Sequence, residues 1–212
     1  MSARARVKLC GMTRTEDALV AARLGADAIG LIFAAASPRR IEPERAAEIA
    51  VAMPPFVARV ALSLDQTSDF VAQVLAAVPV DLLQFHGREN AAFCRAFGKP
   101  WIKVVPMADV DDVSAYAARY PDAAGFLLDS HGAGAAGGSG RTFDWSRAAA
   151  AVARIERPVL LAGGLNPGNV HEAVTRVKPW AVDASSGVEA SPGIKDHARM
   201  AAFIDEVRRG SA

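Results

Sequence analysis

The sequence predicts an α/β fold, a single-domain (β/α)8 (TIM) barrel, on three observations. Short apolar runs rich in Val, Ile, Leu and Phe alternate with longer stretches of helical spacing, and the alternation repeats eight times. The 212 residues divide into units of about 26, and a strand of ~5, a helix of ~11 and two loops of ~4 need about 24. The apolar runs are continuous rather than alternating with polar residues, which suits parallel strands buried on both faces. An open doubly wound sheet shows the same alternation, but no G-x-G-x-x-G follows the first run. The length favours one domain, 1–212, over two, and no boundary interrupts it.

The elements follow in order. Val7 to Cys10 precedes TEDALVAARLG, with Thr15 the expected N-cap and Gly25 the expected C′ residue. AIGLIF (Ala28 to Phe33) precedes PERAAEIAVAM, whose Pro43 suits a first helical turn. VARVALS (Val57 to Ser63), LLQFHG (Leu82 to Gly87), WIKVVPM (Trp101 to Met107) and AGFLLD (Ala124 to Asp129) each lead into a helical stretch. The last of these passes first through HGAGAAGGSG, residues 131–140, which reads as a mobile loop over an active site or as a long surface connection. PVLLAGG (Pro158 to Gly164) precedes NPGNVHEAVTRV, and AVDASS (Ala181 to Ser186) precedes a final helix around IKDHARMAAFIDEVRR.

Composition narrows the function classes. The net charge is +1, from 24 Lys and Arg against 23 Asp and Glu, without the basic excess of a nucleic-acid binder. The longest stretch lacking Asp, Glu, Lys and Arg runs from Pro158 to His171, contains Gly-Gly and Asn-Pro-Gly, and falls short of the ~18 apolar residues of a membrane span. The start, MSARARVKLCG, lacks an apolar signal segment. Two Cys are no disulfide framework, and two Cys with four scattered His give no metal-ligand spacing. A cytoplasmic chain without metal, membrane or nucleic-acid partner is expected, its oligomeric state open between monomer and homodimer.

Position along the strands sorts the polar residues. In a barrel of this kind chemistry sits at the C-terminal strand ends and stability at the N-terminal ends. Asp27 precedes the second strand and reads as structural, whereas Cys10, His86, Asp129 and Asp183 close the first, fourth, sixth and eighth strands and would ring one mouth. Lys8 shares a side with Cys10, and Gln84 with His86, being two residues apart. A buried Cys is otherwise a small hydrophobe, a strand His a structural group, and mid-helix Cys94 packing. The loops AGGLNPGN and SSGVEASPG follow strands seven and eight, where barrels of this class often hold phosphate, and glycines let main-chain N–H groups approach an anion. Arg39 and Arg40 in SPRRI are either anion partners or a solvated basic pair.

In order along the chain, KLCGMT, SPRRI, LLQFHG, FLLDS, GGSGRTFDW, LAGGLNPGNV and VDASSGVEASPGIKD resemble the motifs of the phosphoribosylanthranilate isomerase family. The match covers about residues 6 to 207 and lies in the ordered set, since a motif such as GG-x-N is weak alone. Phe85 stands where the family usually has Leu, Ala162 where Ser is common and Ala184 where Val is common; strand three lacks a usual Gly and Phe. None of these removes a reactive group. The resemblance implies Cys10 as general base, Asp129 as general acid, Arg39, His86 and Asp183 in substrate binding, and Gly163, Gly164, Ser186 and Gly187 as a phosphate cradle. It also implies a cofactor-free Amadori rearrangement of a phosphosugar in tryptophan biosynthesis. Another cofactor-free phosphosugar isomerase or epimerase on the same barrel, or a non-catalytic phosphometabolite-binding protein, is the alternative.

That chemistry makes demands on the two groups. A thiol of pKa near 8.5 is only ~3% thiolate at pH 7, and Lys8 is the expected agent for lowering it. A carboxyl near 3.9 is under ~0.1% protonated at pH 7, so Asp129 is expected to be buried at the mouth with its proton retained, through burial or through a nearby carboxylate such as Asp183.

Overall fold

The computed structural model describes residues 4–130 and 144–211. Strands β1 (Arg6–Cys10), β2 (Ala28–Ile32), β3 (Ala58–Ser63), β4 (Leu82–Phe85), β5 (Trp101–Pro106), β6 (Gly125–Asp129), β7 (Val159–Leu161) and β8 (Ala181–Ala184) close into a barrel in sequence order. Every pairing is parallel, including the closing one, in which Lys8 lies opposite Asp183. Helices α1 (Thr15–Leu24), α2 (Pro43–Val51), α3 (Ser68–Ala77), α4 (Ala91–Arg95), α5 (Val113–Ala118), α6 (Trp145–Arg154), α7 (Val170–Val177) and α8 (His197–Ser211) follow the strands in turn. The open-sheet alternative is thereby excluded. The loop 131–140 lies outside the described residues.

The strand period of two divides the apolar residues into two layers. Leu9, Ile29, Leu83, Phe126, Leu128, Leu161 and Val182 pack outward with Ala18, Ala46, Val74, Ala148, Val174 and Phe203 of the helices. The alternate positions Ile102, Val104, Leu127, Leu160 and Ala181 fill the barrel interior. Lys8, Cys10 and Gln84 fall in this inner register, a choice that the sequence alone left open.

Helix ends follow local chemistry. Thr67, Asn90, Asp112 and Asp144 cap α3, α4, α5 and α6, accepting from the amides of Phe70, Phe93, Ala115 and Ser146; such caps contribute ~1 kcal/mol each. Pro43 opens α2 and Gly25 closes α1 at φ 98°, both as expected. Thr15 is not the N-cap of α1: Arg14 holds that place, with no side-chain cap bond. Its guanidinium instead chelates Asp17 at 2.9 and 3.0 Å, inside the first turn. The segment after β8 also departs from expectation. A single 3-10 turn, Ser186–Val188, leads into an antiparallel hairpin of β9 (Glu189–Ser191) and β10 (Ile194–Lys195) before α8 begins at His197. Pro192 and Gly193 make the turn, with Gly193 at φ 80°, and Asp196 accepts from the Arg199 amide at 3.0 Å to start the helix.

At the N-terminal end, carboxylates stitch neighbouring strands. Asp27 accepts the Val7 amide at 2.8 Å and the Arg4 guanidinium at 2.7 and 2.8 Å. Asp81 does the same for the Arg59 amide, at 2.8 Å, and the Arg59 guanidinium, at 2.7 and 2.8 Å. The structural reading of Asp27 holds.

Candidate active site

The C-terminal mouth opens into a cavity walled by the strand ends and the loops that follow them. Cys10, Arg39, His86, Asp129, Gly163, Gly164, Asp183 and Ser186 all line it. Of the expected site residues only Gly187 lies outside the lining. It packs where a Cβ would stand 2.0 Å from the Leu165 carbonyl oxygen, so its bareness lets the loop after β8 close against the loop after β7.

Cys10 is 3% exposed, at the inward end of β1. Its strand partner is Gly30, where an added Cβ would fall 2.5 Å from the thiol sulfur; any larger residue would displace the thiol. Lys8 lies one inward position below and donates from Nζ to Asp183 Oδ1 at 2.9 Å, both residues buried. Lys8 does pull the thiol down, but burial outweighs it and holds Cys10 above its ordinary pKa. The expected net lowering fails for a physical reason. Asp183 spends the Lys8 charge and itself disfavours a thiolate.

Asp129 ends β6, 6% exposed. His86 Nε2 stands 3.7 Å from its Oδ2, and Ser130 Oγ lies 3.5 Å from Oδ1. Burial pushes the His86 imidazole below its usual pKa against the pull of Asp129, which favours the neutral ring. Among the described residues neither ring nitrogen of His86, nor Gln84 Oε1, nor Ser185 Oγ has a hydrogen-bond partner, although all are buried. Leaving such a group unpaired costs about 1–3 kcal/mol. Elsewhere among the described residues Ser63 Oγ, Trp145 Nε1 and His171 Nδ1 also lack a hydrogen-bond partner, but four such atoms lie at this one cavity, which suits a polar ligand that completes the bonding.

The far rim is built of main chain. Gly163 and Gly164 sit at φ 82° and 68°, left-handed values that glycine adopts without steric cost. Asn166 and Asn169 brace the turn by donating to the Gly164 carbonyl at 3.2 and 3.0 Å. On the adjacent loop Ser185 and Ser186 face the cavity.

Arg39 is 5% exposed, and its guanidinium grips Glu189; Arg40 pairs with Glu42 at the surface at 2.9 Å. Sequence reasoning missed Glu189 and Lys195, because their hairpin was read as loop and helix. The signal was two charged residues flanking a Pro-Gly turn. It also passed over Gly30, a glycine inside an apolar strand. Cys94 is core packing, its thiol pushed up by burial to about 12. Among the described residues no three His, Cys, Asp or Glu gather as a metal site, and no helix is long and apolar enough to cross a membrane.

The family model for N-(5'phosphoribosyl)anthranilate (PRA) isomerase matches residues 7–206. The chain belongs to the phosphoribosylanthranilate isomerase family. A relative of that name from Alcanivorax borkumensis is 53% identical, covering 98% of this chain and 97% of the relative. The structure of the isomerase from Thermotoga maritima superposes with a TM-score of 0.85 at 41% identity, covering 96% of this chain and 98% of that one. A phosphoribosyl anthranilate isomerase solved with reduced 1-(O-carboxyphenylamino)-1-deoxyribulose 5-phosphate superposes at 0.82 with 39% identity and the same coverage. The eightfold barrel and the family are thus common to this chain and its relatives.

Proposed function

We propose that the chain converts N-(5-phosphoribosyl)anthranilate to 1-(2-carboxyphenylamino)-1-deoxyribulose 5-phosphate, with Asp129 as general acid and Cys10 as general base. The observation that carries this reading is the presence of both groups in one buried cavity rimmed by the Gly163–Gly164 turn.

Asp129 gives its proton to the furanose ring oxygen, the C1′–O bond breaks, and nitrogen lone-pair donation leaves an iminium ion. Cys10 then takes the C2′ proton, and the C2′–H electrons form the C1′=C2′ bond while the C=N electrons return to nitrogen. The enolamine becomes a ketone when C1′ gains a proton and the C2′ hydroxyl loses one. One carbon is reduced and its neighbour oxidised, so no external electron acceptor enters. The raised thiol pKa is compatible with this order. The iminium cation, formed beside Cys10, stabilises a thiolate at the moment the base is needed.

The amides of Gly163 and Gly164 and the loop around Ser186 and Gly187 hold the phosphate, a handle remote from the reacting carbons. Arg39 takes a further anionic or hydroxyl group of the substrate, and His86 and Asp183 line the sugar. A cytoplasmic setting accords with two free, buried cysteines. Loss of anthranilate fluorescence on turnover tests the reading: wild type turns over and Cys10→Ala does not. Tight binding of a phosphorylated ligand without turnover by wild type would favour a binding protein instead.

A further inference from the structure

We infer that Glu189 and Lys195, on the β9–β10 hairpin, are positioning residues for Arg39: the Glu189 carboxylate aims the guanidinium into the cavity, and Lys195 ties that carboxylate to the ends of β1 and β8. The inference rests on the isomerase reading above and adds the device that sets its arginine.

Arg39 Nε donates to Glu189 Oε1 and Oε2 at 2.9 and 3.1 Å, and Nη2 donates to Oε2 at 2.7 Å. This side-on fork occupies Nε and one edge of Nη2, so the Nη1 end of the guanidinium is not part of the clamp. The aliphatic stem is held as well. It lies against Gly11, where an added Cβ would be 2.7 Å from Arg39 Cδ. A side chain gripped at its stem and along one edge of its fork has one direction left, and Arg39 lines the cavity.

Lys195 Nζ donates to Glu189 Oε1 at 2.8 Å, to the Ser185 carbonyl at 3.2 Å and to the Cys10 carbonyl. The Lys195 amide donates to Asp17 Oδ2 at 3.1 Å, which joins the hairpin to α1. One ammonium therefore ties the strand end that bears the base, the loop after β8 and the carboxylate that clamps Arg39. All three side chains are buried, Arg39 and Glu189 at 5% and Lys195 at 3%. Two cations share one carboxylate, and the surplus positive charge borders the cavity, where it favours an anionic substrate group. Stability alone is a poor reason for such an assembly, since apolar residues can replace buried ion pairs at little loss. Fixing a planar donor in one orientation is what a bidentate clamp does better than apolar packing.

Steady-state kinetics with N-(5-phosphoribosyl)anthranilate on Glu189→Gln, Arg39→Ala and the double variant test the inference. Glu189→Gln is expected to raise KM about tenfold or more, the loss of a charge-assisted bond, with kcat within about threefold. The double variant is expected to be no worse than Arg39→Ala alone, because Glu189 acts through Arg39. An unchanged KM in Glu189→Gln, or KM effects that multiply in the double variant, overturns the inference. If Glu189→Gln folds poorly, Glu189→Asp keeps the charge and shortens the reach: a raised KM at unchanged Tm supports the clamp, and an unchanged KM removes it. Absence of turnover in wild type would count against the isomerase reading, whereas wild-type turnover with an unmoved variant KM counts against the clamp alone.

Discussion

The two ends of the barrel carry similar residues in opposite conditions. At the N-terminal end, Asp27 and Asp81 each accept a strand amide and an arginine, and remain 30% and 41% exposed. At the C-terminal end, the Asp129 and Asp183 side chains are only 8% and 9% exposed and face a cavity. Beside them His86 and Gln84 hold buried polar atoms with no partner among the described residues. One end has turned its polar groups into stitches between strands. The other keeps buried bonding capacity in reserve, at a cost in stability that a ligand can recover. Residue type does not separate the two ends here; burial against a cavity does, where His86, Gln84 and Ser185 hold atoms that nothing among the described residues pairs.

Substitutions at the two ends should therefore fail in different ways. The largest effect is expected at the mouth. Asp129→Asn keeps shape but cannot give up a proton as a carboxylic acid does, so kcat should drop by about 10²–10⁴ while the urea midpoint hardly moves. A comparable loss of stability would place Asp129 with the stitches. Next comes the pH profile. The base must be ionised and its free-enzyme pKa is raised, so kcat/KM should climb with pH past the ordinary thiol value of about 8.5. A plateau already reached at neutral pH would show a thiol lowered before substrate arrives.

The N-terminal end should answer in stability. Asp27→Ala strands the Val7 amide and the Arg4 side chain, and chemical denaturation should find about 1–2 kcal/mol lost, with kcat/KM unchanged. A change in kcat/KM would erase the division between the two ends. The smallest effect belongs to Arg59→Ala, under about 1 kcal/mol because the pair is exposed. Its pH dependence has a definite sign. The Arg59 hydrogen bond holds Asp81 below the ordinary carboxylate range, so the contribution is full above the unfolded value of about 3.9. It fades as pH falls through the depressed folded value. Stability curves of wild type and variant should converge in acid, and a gap that widens there would contradict the assignment.

Much of the molecule was legible from residue order. Continuous apolar runs at regular spacing fixed the strands, because a parallel strand packed on both faces admits little else. Cys10, His86, Asp129 and Asp183 could be assigned to one mouth because chain direction alone decides which strand end a residue occupies. Thr15 begins α1 and does not cap it, and the contacts that hold Asp17 in that first turn come partly from Lys195 and His197 at the far end of the chain, where sequence order gives no sign of them. The direction of the Cys10 shift was misread for a related reason. Lys8 lies two residues from Cys10 in sequence, but the burial that outweighs its pull exists only in the closed barrel, and Asp183, which adds to that effect, becomes its neighbour only when β8 closes against β1.

The sequence by itself determined the alternation of elements, the end of each strand and the chemical types available there, since propensity, period and chain direction are local properties. Tertiary structure decided which face of each strand looked inward, which polar groups found partners, and that Arg39 would be gripped by Glu189, 150 residues further along. Those outcomes depend on distances between segments remote in the chain, and closure of the barrel sets them.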